Sequence, residues 1–202
     1  SQGFFLKYSK QENTNSLLKI DHPIIREALK LISPNLTKIE LTTLADIPSG
    51  TGLGSSGSFT CALISALYAN KGHYIDKMTL AELACDIEIN KLKQPIGKQD
   101  QFISAFGGIN GITFKKNDET NVQPLNITSE TIYNLEDNLL LFFTGFSRKA
   151  SDILQDQEEK SISKDKEMFE NLDFIKLIGL ESKKALEKNN LDDFAKLMHE
   201  HW

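Results

Sequence analysis

The chain has little that would tie it to an oxidising compartment. It holds two cysteines, Cys61 and Cys85, in 202 residues. Both fall in helical stretches beside apolar neighbours, so buried free thiols in a reducing cytosol are expected rather than a disulfide framework. There is no CxxC pair, no His-rich tract and no zinc-type spacing, which removes a structural zinc site. No apolar run is long enough to cross a bilayer. The opening Ser1-Gln2-Gly3-Phe4-Phe5 lacks the basic and apolar regions of a signal peptide, and the expected location is the cytoplasm. Excess positive charge is absent too: the formal net charge is -5, so there is no electrostatic case for nucleic acid or an anionic membrane as partner. Internal repeats and low-complexity linkers are missing. So is an initiating Met, and the chain is expected to be a processed or trimmed form.

What is present is ordinary for a soluble globular protein, with 40% hydrophobic and 25% charged residues. The length suits one large or two small domains with a useful core. Residues 3–8 read as a strand. Ile24, Ile25, Ala28, Leu29 and Ile32 recur at helical spacing behind Pro23, which suits a first turn. Residues 38–44 alternate as a strand around Ile39 and Leu41. After a Gly- and Ser-rich loop over 48–58, a helix runs through Asn70, expected to bury Phe59, Ala62, Leu63, Ala66 and Leu67. A second helix is expected from Thr79, which with Glu82 has capping-box spacing, and carries a stripe of Leu80, Leu83, Ala84, Ile87 and Leu92. A loop and short helix reach Gly107-Gly108, a strand occupies 111–114, and Asn117 to Asn121 reads as a polar turn. Leu139 to Phe143 is continuously apolar and reads as a strand buried on both faces. Helices follow near 163–188 and from Leu191. The last ends on His199-Glu200-His201-Trp202 without a stop signal, so the sequence is expected to continue.

The informative segment is Pro48-Ser-Gly-Thr-Gly-Leu-Gly-Ser-Ser-Gly-Ser58. Gly50, Gly52 and Gly54 allow backbone conformations closed to other residues and let a ligand approach closely. Ser55 and Ser56 then open a helix, where free N–H groups and the positive dipole end favour a phosphate. A serine hydroxyl there can also ligate Mg²⁺. Gly52-x-Gly54-x-x-Gly57 formally matches a dinucleotide fingerprint, with Asp76 at a suitable distance for a ribose. Against that, several residues separate the glycines from the preceding strand, and no clear strand ends at Asp76. A P-loop would need a lysine that this loop lacks. A plain capped turn is the remaining alternative.

Two carboxylates stand out downstream. Glu88 lies beside the apolar stripe, in helical phase with Ala84 and Leu92, and a buried carboxylate there would need a cation. A flanking solvated position is the alternative, and Asp86, facing roughly 160° away at about 100° per residue, is the fallback. Asp100 follows Gly97 in a tight loop that opens a short helix. It reads either as a helix cap or as a carboxylate that orients and deprotonates an acceptor hydroxyl in phosphoryl transfer.

Pro48-x-x-x-Gly52-Leu53-Gly54-Ser55-Ser56 resembles the signature loop of the GHMP kinases, the superfamily of galactokinase, homoserine kinase and mevalonate kinase. The resemblance implies that this loop wraps the phosphates of ATP, with Gly50, Gly52, Leu53, Gly54, Ser55, Ser56 and Gly57 as nucleotide-binding residues. It further implies Ser56 and Glu88 as Mg²⁺ ligands and Asp100 as the catalytic base. The strings QPIGKQDQFISAFGGIN (94–110), LLLFFTGFSRKASDIL (139–154) and MHEHW (198–202) are similar to one branch, the D-glycero-D-manno-heptose 7-phosphate kinases. That branch implies phosphorylation of an anomeric hydroxyl to give a heptose 1,7-bisphosphate for surface-glycan (GDP-heptose) assembly. Partners are then the sugar phosphate and ATP.

An acidic substrate suits Lys98, Arg148 and His201 as its contacts, Arg148 being placed for bidentate capture of the distal phosphate. Lys149 reads as a solvated charge and His199 as a packing histidine. The implied fold is α+β, a two-subdomain GHMP kinase fold. It has a ribosomal protein S5 domain 2-like N-terminal part, the start of a ferredoxin-like C-terminal part, and both ends incomplete. The expected division is 1–135, nucleotide- and Mg-binding, and 136–202, a partial C-terminal domain. The family's N-terminal motif and its C-terminal glycine-rich motif are not found in residues 1–202, so the piece alone need not be active. Another small-molecule kinase of the superfamily, a dinucleotide-dependent oxidoreductase and a non-catalytic binding module are the alternatives. The sequence carries no signal of oligomeric state.

Overall fold

The structure, a computed structural model, describes residues 3–47, 50–142, 154, 157, 159–163 and 165–202. Among them, two compact units are found, the first holding residues 3–107 and Leu154 and the second the others from Gly108 onward, whereas the expected domains divide between 135 and 136. The mixture of helices and strands is the α+β architecture expected.

In the first unit, β1 (Gly3–Lys7) is the middle of a three-stranded sheet. It pairs antiparallel with β2 (Gln11–Thr14) and parallel with β3 (Lys38–Thr42), with Leu6 opposite Leu41. The parallel pairing needs a crossover, which α1 (Pro23–Ile32) supplies. Pro23 opens α1, and His22 caps it by accepting from the Ile25 N–H through Nδ1 at 3.4 Å. Burial holds the His22 pKa below its ordinary value, which keeps that nitrogen available as an acceptor. α1 buries Ile24, Ile25, Ala28, Leu29 and Ile32, the predicted face. Its last carbonyls are closed by Lys71, whose Nζ donates to the Ile32 oxygen at 2.8 Å.

Helix α2 (Ser55–Asn70) buries Cys61, Leu63, Ile64 and Leu67 in the same core. Ala62 and Ala66, expected inside, are exposed, because they face a concavity rather than the sheet. Helix α3 (Lys77–Cys85) begins two residues earlier than predicted. Its cap is Asp76, which accepts from the Thr79 N–H at 3.0 Å and the Thr79 hydroxyl at 2.6 Å. The Thr79–Glu82 pair is therefore not the cap; Asp competes better than Thr for that role. A π-helical turn, Asp86–Lys91, continues α3, and the Leu92 N–H reaches the Ile87 carbonyl at 3.0 Å. Helix α4 (Gln99–Phe106) buries Gln101 and Phe102. It ends at Gly107, whose φ of 66° belongs to the left-handed region.

In the second unit, β4 (Asn110–Phe114) and β5 (Thr120–Pro124) form a hairpin. Its turn is closed by the Lys115 N–H on the Glu119 carbonyl at 2.9 Å. Helices α5 (Ser129–Asn138), α6 (Lys166–Glu187) and α7 (Leu191–His201) follow. Thr131, buried on α5, donates to the Asn189 side chain just beyond α6 at 2.9 Å. The predicted buried strand at Leu139–Phe143 is not observed. Leu139 is extended, but Leu140, Leu141 and Phe142 are 78%, 80% and 77% exposed. Apolarity alone does not make a strand; no strand among the described residues pairs with this run. Phe143 lies outside the described residues.

Candidate functional site

The site is built on the entry to α2. Gly50, Gly52 and Gly54 have φ of 78°, 78° and 67°, the left-handed values that glycine adopts without steric cost. Gly54 stands at the N-cap position of α2, and no side chain there accepts a first-turn N–H. The first-turn donors have no intrahelical partner either. Sixteen residues of helix thus point a positive dipole end and free N–H groups at the loop, a ready site for phosphate. Leu53 and Ser56 are exposed, while Ser55 is half-buried.

Asp100, distant in sequence, sits directly on this loop. A Cβ added at Gly54 would stand 3.2 Å from the Asp100 Cγ. One added at Gly57 would stand 3.0 Å from the Asp100 Cβ, its backbone carbon and the Gln101 nitrogen. The glycines at 54 and 57 therefore let α4 close on the N-terminus of α2. This is the geometric reason for the small residues there, and chain flexibility is secondary. The Asp100 carboxylate is exposed at the same spot, lying in the first turn of its own helix.

Glu88 is fully buried, with 0% exposure. Helical phase with Ala84 and Leu92 places it beside the buried stripe, as a carboxylate in need of a cation. It lies on the π turn, where Ile87 and Glu88 are both inside. Neither carboxylate oxygen has a hydrogen-bond partner among the described residues. The fallback residue, Asp86, pairs instead with its neighbours, taking Asn90 Nδ2 at 2.9 Å and Lys91 Nζ at 3.6 Å. Gln101 was missed by the sequence reading. It is 0% exposed, and both its amide oxygen and its amide nitrogen lack partners among the described residues. The signal was there: Gln101 is one helical turn from Ala105 and next to Phe102, on the buried face of α4. The Cys61 thiol donates to the backbone carbonyl of Gln101 at 3.5 Å, and burial, then the Glu88 charge, push its pKa up to about 12. Cys85 is likewise pushed up to about 12 by burial, against the pull of the Lys98 charge.

A cavity of about 530 Å³ opens beside the loop. Leu41, Leu44, Leu53, Phe59, Ala62 and Ala66 give it an apolar wall, and Ser55 and Ser58 bring the helix entry to its edge. Leu44 is 94% exposed within it. The exposure of Ala62 and Ala66 is thus part of the site.

The other candidates divide. Lys98, half-buried, is the residue on which α4 begins. His201 is exposed on α7 in the second unit. Arg148 and Lys149 lie outside the described residues. Asp76, the ribose candidate of the dinucleotide reading, is occupied as the cap of α3 and does not end a strand. The arrangement that fingerprint requires is absent among the described residues.

Three His, Cys, Asp or Glu side chains able to surround a metal are not found among the described residues. Magnesium does not require them: it binds through one or two carboxylates, waters and substrate phosphates. A buried carboxylate with both oxygens unpartnered fits that donor set, since an uncompensated charge costs several kcal/mol, on the order of 3–5. Glu88 is such a carboxylate among the described residues.

Residues 23–108 match the GHMP kinases N terminal domain. A D-glycero-alpha-D-manno-heptose 7-phosphate kinase of Campylobacter jejuni subsp. jejuni is 29% identical over 202 residues, 98% of this chain and 58% of that protein. A mevalonate kinase of Archaeoglobus fulgidus is 36% identical over 89 residues, 43% of this chain and 31% of that protein. The crystal structure of a D-glycero-D-manno-heptose 1-phosphate kinase from Bacteriodes thetaiotaomicron superposes with a TM-score of 0.81 at 23% identity, covering 100% of this chain and 63% of that one. At that identity the likeness establishes the fold. The chain spans 58% of the length of the Campylobacter relative.

Proposed function

We propose, from the match of residues 23–108 to the GHMP kinases N terminal domain, that the whole protein is an ATP- and Mg²⁺-dependent sugar kinase. Its acceptor is the anomeric hydroxyl of D-glycero-D-manno-heptose 7-phosphate, in the assembly of surface glycans. The observation that carries this reading is the contact of Asp100 with Gly54 and Gly57. A carboxylate against a phosphate cradle is an electrostatic conflict in a mere anion-binding site. It makes sense where a hydroxyl must lose its proton beside the phosphoryl group it attacks.

The loop from Gly50 to Gly57 holds the triphosphate through backbone N–H groups at the entry to α2. The apolar cavity beside it takes the flat base of the nucleotide. Ser56 and Glu88 hold the cation, which when bound neutralises charge on the phosphates. Asp100 orients the acceptor hydroxyl and takes its proton as the oxygen–phosphorus bond forms and the bond to the ADP oxygen breaks. Lys98 and Arg148 contact the acceptor and its distal phosphate, Arg148 by a bidentate fork. The similarity to a 7-phosphate kinase along nearly the whole chain supports the choice of acceptor.

The test is ADP release by the full-length protein with a panel of sugars and sugar phosphates, with and without Mg²⁺. The expected result is Mg²⁺-dependent turnover, fastest with the heptose 7-phosphate. Turnover fastest with an unphosphorylated sugar would move the protein to another branch. No ADP release with any acceptor would end the kinase reading.

A further inference from the structure

Gly54 and Gly57 are small for different reasons. Gly54 has a left-handed φ of 67°, a conformation that itself favours glycine. Gly57 is buried inside α2 and its φ is not positive, so the backbone there suits any good helix former. Among residues other than proline, glycine is the weakest helix former and alanine the strongest. What glycine alone supplies at position 57 is room. A Cβ on it would stand 3.0 Å from three atoms of α4: the Asp100 Cβ, the Asp100 backbone carbon and the Gln101 nitrogen. Two of the three are main-chain atoms, which cannot swing aside as the end of a flexible side chain can.

The surroundings decide which side would yield. The first turn of α2 is held by the Ser58 N–H on the Gly54 carbonyl at 3.0 Å. The hydroxyl of buried Thr60 adds a bond to the Ser56 carbonyl at 2.9 Å. Further along, Ile64 and Leu67 set α2 into the core. Helix α4 has only 8 residues. Its far end is tied to α3, where Lys77 Nζ donates to the Phe106 carbonyl at 2.8 Å. One turn along α2 from Gly57, the Cys61 thiol donates to the Gln101 backbone carbonyl at 3.5 Å, and a thiol is a weak donor. Bulk at position 57 would therefore tip α4 about its far end. The residue displaced most is the one pressed on Gly57, which is Asp100.

Resting on the kinase reading above, we infer that Gly57 is a positioning residue for the reaction. Its missing side chain sets the gap between the helix entry that holds the phosphates and the carboxylate that takes the acceptor's proton. In this role Gly57 acts through Asp100. The role is separate from the backbone N–H that Gly57 lends to the phosphate cradle, which every residue but proline would lend.

Gly57→Ala in the full-length protein adds the one carbon in question and keeps the N–H. A Cβ at 3.0 Å makes its neighbours give by a few tenths of an ångström. Because a misplacement of about 1 Å costs on the order of 10²-fold, kcat should fall about 3- to 10-fold. ATP affinity, measured by equilibrium titration, should be unchanged. Asp100→Glu supplies the readout that a loss of packing would not move. Alone, its extra methylene overreaches and lowers kcat. In the Gly57→Ala background it spans the widened gap, so the double variant should turn over faster than Gly57→Ala, a non-additivity expected of coupled neighbours. Unchanged kcat in Gly57→Ala overturns the inference. So does a loss of ATP affinity as large as the loss of kcat, which would leave Gly57 a part of the cradle only. A double variant no faster than Gly57→Ala overturns it as well. Should Gly57→Ala not fold, Cys61→Val adds bulk one turn further along α2 and carries the same test with the same outcomes. If neither folds, the close contact serves folding and the inference fails. Asp100→Asn, run in parallel, separates the two levels. Near-normal kcat there overturns the base itself. A large loss there with none in Gly57→Ala overturns only the role given to Gly57.

Discussion

The two compact units meet the demand for burial in different ways. The first buries Phe4, Leu6, Ile25, Leu29, Ile64 and Leu67 at 2% exposure or less. They form one continuous core between the sheet, α1 and α2. Among described residues of the second, the buried hydrophobic side chains are Ile178, Ala185 and Leu186. Its α6 leaves Phe174, Ile175, Leu177 and Leu180 half exposed, at 49%, 47%, 60% and 50%. The candidate chemistry follows the core. Gly54, Gly57, Glu88 and Asp100 all belong to the first unit and stand on or beside helices that are wedged into it. A reacting constellation must be held to within about 0.5 Å, and a dense core can do that where a sparse one cannot.

The sharpest test of that coincidence is Asp100→Asn in the full-length protein. It keeps the size of the side chain and its place over Gly54 and Gly57. Loss of general-base help should lower kcat by about 10²–10⁴-fold while ATP binding, followed by equilibrium titration, persists. Near-normal kcat would return Asp100 to the role of a first-turn carboxylate of α4 and detach the chemistry from the first unit.

Next in size is a stability contrast. Ile64→Ala empties a site that is 0% exposed and should cost about 2–5 kcal/mol in denaturant unfolding. Leu180→Ala, at a half-exposed position of α6, should stay within about 0.5 kcal/mol. Similar costs at both positions would show that the second unit has a core as demanding as the first.

The same contrast explains which features the sequence made legible. Helix α1 and strand β3 carry clean periods, and a one-sided core enforces those periods, so the buried face of α1 and the half-buried face of β3 came out as read. The glycine loop was legible because its chemistry is local: three left-handed glycines and a helix entry sit in one stretch of chain. Strand β2 was not, since Gln11–Thr14 has no apolar alternation and owes its place to pairing with β1. The burial of Glu88 was legible from its place four residues from Ala84, but the π turn that carries it was not, since nothing in a 3.6-residue period signals one. Gln101 escaped because its burial depends on packing between α4 and α2, where Cys61 donates to its backbone carbonyl from far away in sequence. Leu139–Phe142 shows the converse, an apolar run without a described partner strand. In each failure the deciding interaction is non-local.

A smaller effect should follow from Arg148→Ala, which probes the distal end of the proposed acceptor. A charge-assisted contact is worth about 1.5–3 kcal/mol, so KM for the heptose 7-phosphate should rise roughly 10- to 150-fold. KM for an unphosphorylated sugar should hardly move, and kcat should be nearly preserved. A kcat loss as large as that of Asp100→Asn would mean that Arg148 takes part in the chemistry and not only in holding the distal phosphate.

The smallest expected effect is none at all, and it reads the two units separately. Cys61 and Cys85 both belong to the first unit and are buried, with pKa values pushed up to about 12 from an ordinary 9.0. At pH 8 the folded protein should therefore not react with iodoacetamide, because the thiolate is the nucleophile. As pH rises from 9 toward 12, the unfolded chain gives up its thiol protons while the folded chain keeps them. The folded state then binds more protons than the unfolded state, so stability falls across that window. Labelling in graded denaturant at pH 8 consequently reports opening of the first unit, whereas circular dichroism at 222 nm reports helices of both. With its sparse described core, the second unit should open first: part of the helical signal should be lost before either thiol reacts. Coincident transitions would mean that the units unfold as one cooperative body, and the contrast in burial would then have no counterpart in stability.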